Sequence, residues 1–288
     1  MIDLHLHTTA SDGRLTPREL VDRARIAGVS VMAVTDHDTV AAVAEARAYA
    51  ASTGITAIAG IEITAVEEQR DVHMLAYFFD RHETGFAAFL TSQRATRVRR
   101  IAEMAARLES LGMPVDVQPM LDEAGRHPSK SIGRPRLARA MIDAGYVATT
   151  TEAFDRWLAQ GCPAYVERQG SSPEEVIAIV HRAGGIASLA HPGRTRIDDR
   201  IPALREAGLD AIEVYHSDHD ADMAASYQAL ARRLDVLVTG GSDFHGDPAH
   251  GIEPGASFLP EADWERLFAA HKVPLKPDAT STDTHGGV

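Results

Sequence analysis

The sequence predicts an α/β fold: a seven-stranded, mainly parallel sheet closed into a barrel and interrupted by a mostly helical insertion. Three observations predict it. Strand-like and helix-like segments alternate, the order that builds parallel sheets. Seven segments read as strands, more than a short open sheet needs. From about Glu83 to Gln169 that alternation stops, and helical period replaces it.

The elements follow in order. "MIDLHLHT" is a strand. "TPRELVDRARIAG" is a helix with Thr16 as N-cap, Pro17 at its first position, Glu19 completing a capping box and Gly28 ending it. "VSVMAVTDHD" is a buried strand, and "TVAAVAEARAYAASTG" is an alanine-rich helix closed by Gly54. "ITAIAGIEIT" and "DVHMLAYFF" are the next two strands. The segments "FAAFLTSQRATRVRRIAEMAARLESLG", "GRPRLARAMIDAG" and "EAFDRWLAQG" are the helices of the insertion. "SPEEVIAIVHRAGG", capped by Ser172, returns the chain to strands "GIASLAH", "LDAIEVYH" and "LDVLVTGGSD". The barrel is thus assigned residues 1–82 and 170–271, the insertion 83–169, and a polar, aperiodic tail 272–288.

The bulk numbers narrow the function. With 288 residues and 44% hydrophobic content, the chain can bury a large core. A net charge of -12 repels polyanions at long range, so duplex DNA is not an expected partner. The lone cysteine, Cys162, excludes a disulfide framework and a thiolate-rich zinc site. No basic stretch followed by an apolar run opens the chain, and no segment has the length of a membrane span. The expectation is a cytoplasmic protein with no obligate protein partner.

Position singles out one set of polar residues. His5 and His7 alternate on the first strand and so share a face, with Asp12 just beyond in "SDG". His37 ends the second strand and Glu62 the third, while His73 lies in the fourth. His191 ends "SLAH", and Asp243 and His245 follow the last strand. In (β/α) barrels the active site gathers at the C-terminal strand ends. Nine imidazoles and carboxylates are more than one ion takes. They call for two or three divalent cations; the donor types suit manganese, iron or zinc without choosing among them, manganese is the ion expected, and a carboxylate such as Glu62 can bridge two of them. His82, His127, His181, His250, His271 and His285 lack this placement and are given no role.

The motifs "DLHLHT", "SDG", "TDHD", the glutamate of "GIEIT", "DVHMLAYF", "AHPGR" and "GSDFHG" resemble, in order, those of the PHP (polymerase and histidinol phosphatase) family of amidohydrolase-type enzymes. The resemblance covers Met1 to about Phe79 and Ala187 to about Gly251. It implies a distorted seven-stranded (β/α) barrel with up to three metals. His5, His7, Glu62 and Asp243 would hold the first ion, Glu62, His73 and His191 the second, and Asp12, His37 and His245 the third. Many family members carry a histidine where this chain has Asp12; a carboxylate there still binds a metal, and the resemblance implies a weaker or altered third site. Within the family, the insertion and "HPGR" are most similar to the 3',5'-nucleoside bisphosphate phosphatases, a branch that also includes enzymes trimming RNA 5' ends.

Clustered divalent ions suit phosphate ester hydrolysis, since they ionise a bridging water and neutralise phosphoryl oxygens. Asp243, as a ligand, and His216, at the end of "IEVYH", are the catalytic candidates. His216 would protonate the leaving alkoxide, and a supporting or solvated histidine is its equal alternative. Asp36 and Asp38 are placed as acceptors orienting ligand histidines. The basic stretch "RHPSKSIGRPRLAR" offers Lys130, Ser131, Gly133 and Arg134 to a phosphate at a helix start, with Arg168 and Arg194 in reach of a second phosphate. The run "RATRVRR" reads as a solvated helix face. The expected activity is removal of the 3'-phosphate from nucleoside 3',5'-bisphosphates, extending to 5'-3' exonuclease action on short 5'-phosphorylated RNA. A histidinol-phosphate phosphatase is the enzymatic rival, and a non-catalytic metal-binding regulatory module the rival of another class.

Overall fold

Seven strands, hydrogen-bonded in chain order from β1 to β7, wrap into a nearly closed barrel. The computed structural model describes residues 1–248 and 251–271; His250, His285 and the 272–288 tail lie outside them. β1 (Ile2–Leu6), β2 (Val31–Val34) and β3 (Thr56–Glu67) run parallel, as do β5 (Ile186–Leu189), β6 (Ala211–Tyr215) and β7 (Leu237–Gly240). A Leu6–Phe244 bridge brings the first strand to the last. Asp3 of β1 reinforces the seam by accepting from Ser242 N, Ser242 Oγ and Gly255 N.

β4 (Arg70–Tyr77) runs antiparallel to both neighbours, where a mainly parallel sheet predicts a crossover. β3 does not stop at Glu62 but continues to Glu67 and folds straight back through Glu68 and Gln69, both at positive φ. No helix intervenes, and a direct turn can only join antiparallel strands. The reversal puts His73, near the start of β4, at the same barrel end as the C-termini of the parallel strands.

Helices α1 (Pro17–Ile26) and α2 (Val43–Thr53) follow β1 and β2. The Thr16–Glu19 capping box starts α1, and Gly54 ends α2 at φ 82°. Between β4 and β5 lie α3 (Thr84–Ser110), α4 (Gln118–Arg126), α5 (Arg134–Asp143), α6 (Thr150–Ala153) with a π-helical turn at Phe154–Leu158, and α7 (Pro173–Arg182). Ser172 and Glu175 cap α7 reciprocally. Helices α3 to α6 enclose their own apolar cluster around Ile101, Met104, Leu137, Met141 and Leu158. The barrel core is separate and contains Tyr77, Phe78 and Phe79. Short helices α8 (Pro192–Thr195) and α9 (Ile201–Glu206), then α10 (Ala221–Leu234) and α11 (Glu261–Ala270), complete the described fold.

Candidate active site

All nine expected donors converge at one barrel end. Glu62 stands at their centre, almost fully buried, with its two oxygens facing two groups. Oε1 lies 2.8 Å from His73 Nδ1 and 3.0 Å from His191 Nε2. Oε2 lies 3.4 Å from both His5 Nε2 and His7 Nε2, and 3.0 Å from His37 Nδ1. Asp243 Oδ1 completes the first group at 3.3 Å from His5 Nε2 and 3.1 Å from His7 Nε2. In the third group, Asp12 Oδ1 is 3.3 Å from His245 Nε2, and Oδ2 is 3.6 Å from His37 Nε2.

Several of these atoms are buried without a hydrogen bond: His5 Nε2, both nitrogens of His7, His37 Nδ1 and Glu62 Oε2. Buried polar atoms are normally satisfied, so a cluster of lone pairs aimed at shared points fits a set of cations. His5, His7, Glu62 and Asp243 bring ligand atoms within 4.8 Å of one another; so do His7, Asp12, His37 and His245, and likewise His37, Glu62 and His73. The donor set, imidazole and carboxylate without thiolate, suits such ions. Asp12 takes its place in the third group as a carboxylate.

Local electrostatics follow from burial against charge. Burial pushes the Glu62 carboxyl up, but His37, His73 and His5 outweigh it and hold it well below the usual range. Burial opposes a charge on His245, yet Asp12 and Asp243 raise it to about 10. His7, buried and beside His245, falls to about 4. His191 and Asp243 adopt positive φ, 27° and 55°, backbone conformations that cost free energy and often mark functional positions.

Asp36 and Asp38 do not orient histidines. Asp36 accepts from Thr8 N, Thr8 Oγ1 and Ser11 Oγ, and so shapes the loop that presents Asp12. Asp38 accepts from Thr64 N, Arg97 Nε at 2.5 Å and Arg168 Nη2 at 3.0 Å. The carboxylate that does contact two of the nine donors is Glu213 of β6, which the sequence does not single out. Its Oε1 lies 2.8 Å from His5 Nδ1 and its Oε2 accepts from His191 N at 2.7 Å. The available signal was a glutamate inside an otherwise apolar strand, "AIEVY".

The run "RATRVRR" is not a solvated face. Arg97 and Arg100 are buried, on the same α3 stripe as Leu90, Gln93, Ile101 and Met104. With Gly133, Arg134 and Arg168 they line a cavity of about 60 Å³ whose other wall is Asp12, His37, Asp71 and His73. Asp71 pairs with Arg134 at 2.8 Å and Arg100 at 3.0 Å, as Asp38 does with Arg97 and Arg168. Arg100 Nη2, Arg168 Nε and Ser131 Oγ are buried with no partner. Gly133 is the N-cap of α5, so close to Arg97 that a Cβ would sit 3.0 Å from Nη1. Lys130 pairs with Glu123 instead and lines neither this cavity nor the larger one.

A second cavity, about 560 Å³, opens on the far side of Asp12 and is lined by Arg139, Thr151, Phe154, Arg194, His216 and Asp243. Arg194 is half-exposed, 3.3 Å from Asp243 and 3.4 Å from Asp218. His216 Nε2 lies 3.3 Å from Asp243 Oδ2, while its Nδ1 accepts from Asp218 N.

Comparison with known proteins agrees with this geometry. Residues 3–110 match the PHP domain model. A 3',5'-nucleoside bisphosphate phosphatase of Chromobacterium violaceum is 36% identical over 88% of this chain and 90% of its own. A 5'-3' exoribonuclease of Haemophilus influenzae is 36% identical over 88% of this chain and 92% of its own. A candidate metal-dependent phosphoesterase from Bifidobacterium adolescentis superposes with a TM-score of 0.85 at 35% identity, covering 95% of this chain and 96% of that one. No helix among the described residues is long and apolar enough to cross a membrane. Matches of this identity across nearly the whole length, on a barrel with its donors at the strand ends, make the chain a member of the PHP family and a phosphoester hydrolase.

Proposed function

We propose that the protein removes the 3'-phosphate of nucleoside 3',5'-bisphosphates, leaving nucleoside 5'-monophosphates. The observation that carries this reading is the small arginine-walled cavity beside the donor cluster. Four guanidiniums meet three carboxylates there, Asp38, Asp71 and Asp12, which leaves one positive charge in excess even with Asp12 counted against them. That guanidinium-rich wall suits a terminal phosphate, and Arg100 Nη2 and Arg168 Nε, on residues that line the cavity, are its free donors. A 5'-phosphate held there leaves the 3'-phosphate to the donor cluster. The chemistry of the Chromobacterium violaceum relative's name is the same.

His5, His7, Glu62 and Asp243 would hold one ion, His73 and His191 with Glu62 a second, and Asp12, His37 and His245 a third; manganese suits the set. When bound, such ions supply hydroxide at neutral pH and neutralise the phosphoryl oxygens. Water oxygen bonds to phosphorus as the bond to O3' breaks, and O3' takes up a proton. His216 Nε2 supplies it and recovers the proton that the attacking water releases, so the ring ends neutral and the protons balance. Asp218 N–H occupies its Nδ1, so the neutral ring carries its proton on Nε2. Arg194, beside Asp243, is placed to steady the transferring phosphoryl group.

A second reading, stepwise cleavage of 5'-phosphorylated RNA, is favoured by the larger cavity. It leaves room for the nucleotide that follows the scissile phosphate. Histidinol phosphate is disfavoured, because its cationic head would meet the arginine wall.

The test is phosphate release with Mn²⁺ from adenosine 3',5'-bisphosphate and from adenosine 3'-monophosphate. The bisphosphate is expected to be preferred at least 100-fold in kcat/KM, with Arg134→Ala erasing most of the preference through KM. Equal kcat/KM for the two substrates would refute the reading.

A further inference from the structure

We infer that Glu213 is a positioning residue that holds ligands of two different metal positions at once, so that it governs the pair and not one ion. The carboxylate is fully buried on β6 and lines neither of the two cavities. One oxygen faces His5 Nδ1 at 2.8 Å, and the other accepts from the backbone N–H of His191 at 2.7 Å.

Each contact has a separate consequence. An ionised carboxylate only accepts, so the neutral His5 ring must carry its proton on Nδ1. That leaves Nε2 as a bare lone pair, the atom aimed at Glu62 and Asp243. A metal binds a histidine only through such a lone pair, and a carboxylate on the other nitrogen also raises its basicity. At His191 the contact pins a residue held at φ 27° and ψ 61°, outside the ordinary right-handed regions. The following residues Pro192–Thr195 form α8, so the contact fixes the backbone where that turn begins. His191 Nε2 then reaches Glu62 Oε1, the oxygen opposite the one that faces His5.

An amide cannot do both jobs. In Glu213→Gln the side chain keeps its shape but has one acceptor and one donor. If its oxygen faces His191 N, its amino group faces His5 Nδ1, the proton moves to Nε2, and the first position loses a ligand. If its oxygen faces His5, two N–H groups oppose each other at His191, and the second position loses its anchor. Either orientation breaks the pair.

The experiment loads wild type and Glu213→Gln with Mn²⁺ and measures ions per chain and dissociation constants by equilibrium dialysis. Electron paramagnetic resonance of the same samples reads whether the ions are exchange-coupled. The metal-free proteins are compared by thermal unfolding. The variant is expected to fold, to bind at least one ion 10-fold or more weakly, and to replace the coupled-pair signal with that of isolated Mn²⁺. A folded variant with wild-type affinity and an intact coupled signal would overturn the inference, as would a loss confined to thermal stability. Should the amide variant not fold, Glu213→Asp is measured in the same way. Its shorter carboxylate cannot span both partners, and wild-type pairing in it would be equally fatal.

Discussion

At Gly241 the barrel leaves no room for a side chain. A Cβ there would lie 2.4 Å from His5 N and 2.5 Å from His5 Cβ, with Asp3 Oδ1 at 2.8 Å. Nothing in that list can swing away, because His5 and Asp3 are both buried on β1. Gly241→Ala is therefore expected to push β1 from the end of β7 at His5, one of the nine donors. The cost should reach at least the roughly 1–3 kcal/mol of ordinary overpacking, with a matching loss of bound Mn²⁺. Gly125 in α4 is the control: a Cβ there meets nothing within 4 Å. Gly125→Ala should be neutral or stabilising by up to about 1 kcal/mol, since it only improves helix propensity. Thermal unfolding of the two variants decides the matter, and equal behaviour would show that the β1–β7 contact is not tight. Single residues also mark where sequence reading stopped. The nine donors were legible because all have ligand chemistry and, apart from Glu62 within β3 and His73 within β4, fall at or just beyond strand ends. Glu213 was not, because its role depends on His5, 208 positions away, which no local pattern records.

Helix α3 shows how one wrong face changes a functional picture. Its arginines looked like a solvated run by composition alone. Its buried positions, Leu90, Gln93, Arg97, Arg100, Met104 and Leu108, recur every three or four residues, so the helix turns two guanidiniums inward. The period was present in the sequence, but a stripe is called apolar by habit, and here its middle is polar. Those two arginines need partners in the interior, and Asp38 and Asp71 supply them. Arg97 and Arg168 hold Asp38 well below the usual carboxylate range against the opposing effect of burial. A depressed carboxyl stabilises the fold above its unfolded value, near 3.9, and that stabilisation is lost as pH falls below it. Asp38→Asn, compared with wild type in metal-free form by urea unfolding, should therefore cost about 3–5 kcal/mol at pH 7, the scale for a broken buried ion pair. The gap should narrow as pH drops from 4 toward 2. A gap that stays constant with pH would mean the Asp38 charge is not what the arginines hold. The strand reversal at β4 was hidden for a different reason. Both "ITAIAGIEIT" and "DVHMLAYFF" are apolar enough for either direction, and only the length of the turn between them decides.

Across the whole molecule, the barrel brings three carboxylates and six histidines from six strands and their loops to one end. That convergence costs stability. The atoms left unsatisfied there, His5 Nε2, both His7 nitrogens, His37 Nδ1 and Glu62 Oε2, are buried with nothing to bond. Each such group carries a desolvation penalty on the order of 1–3 kcal/mol. Positive φ at His191 and Asp243 adds strain. Cations that bind only the folded chain offset these terms, by about 2.7 kcal/mol when the free ion is 100-fold above its Kd. Chelation should thus lower the Tm by several degrees, and added Mn²⁺ should raise it in proportion to the logarithm of its concentration. The pH dependence has a definite sign. Ligand histidines must shed their protons to bind, and His245, raised to about 10 by Asp12 and Asp243 against burial, holds its proton in the metal-free protein at neutral pH. Metal binding then releases that proton, so affinity should climb with pH between 7 and 9. The difference in Tm between loaded and chelated protein should widen over the same range. A Tm indifferent to chelator and to Mn²⁺ at pH 8 would mean that the donors converge without holding ions. A metal-dependent Tm shift that does not grow with pH would remove His245 from the ligand set.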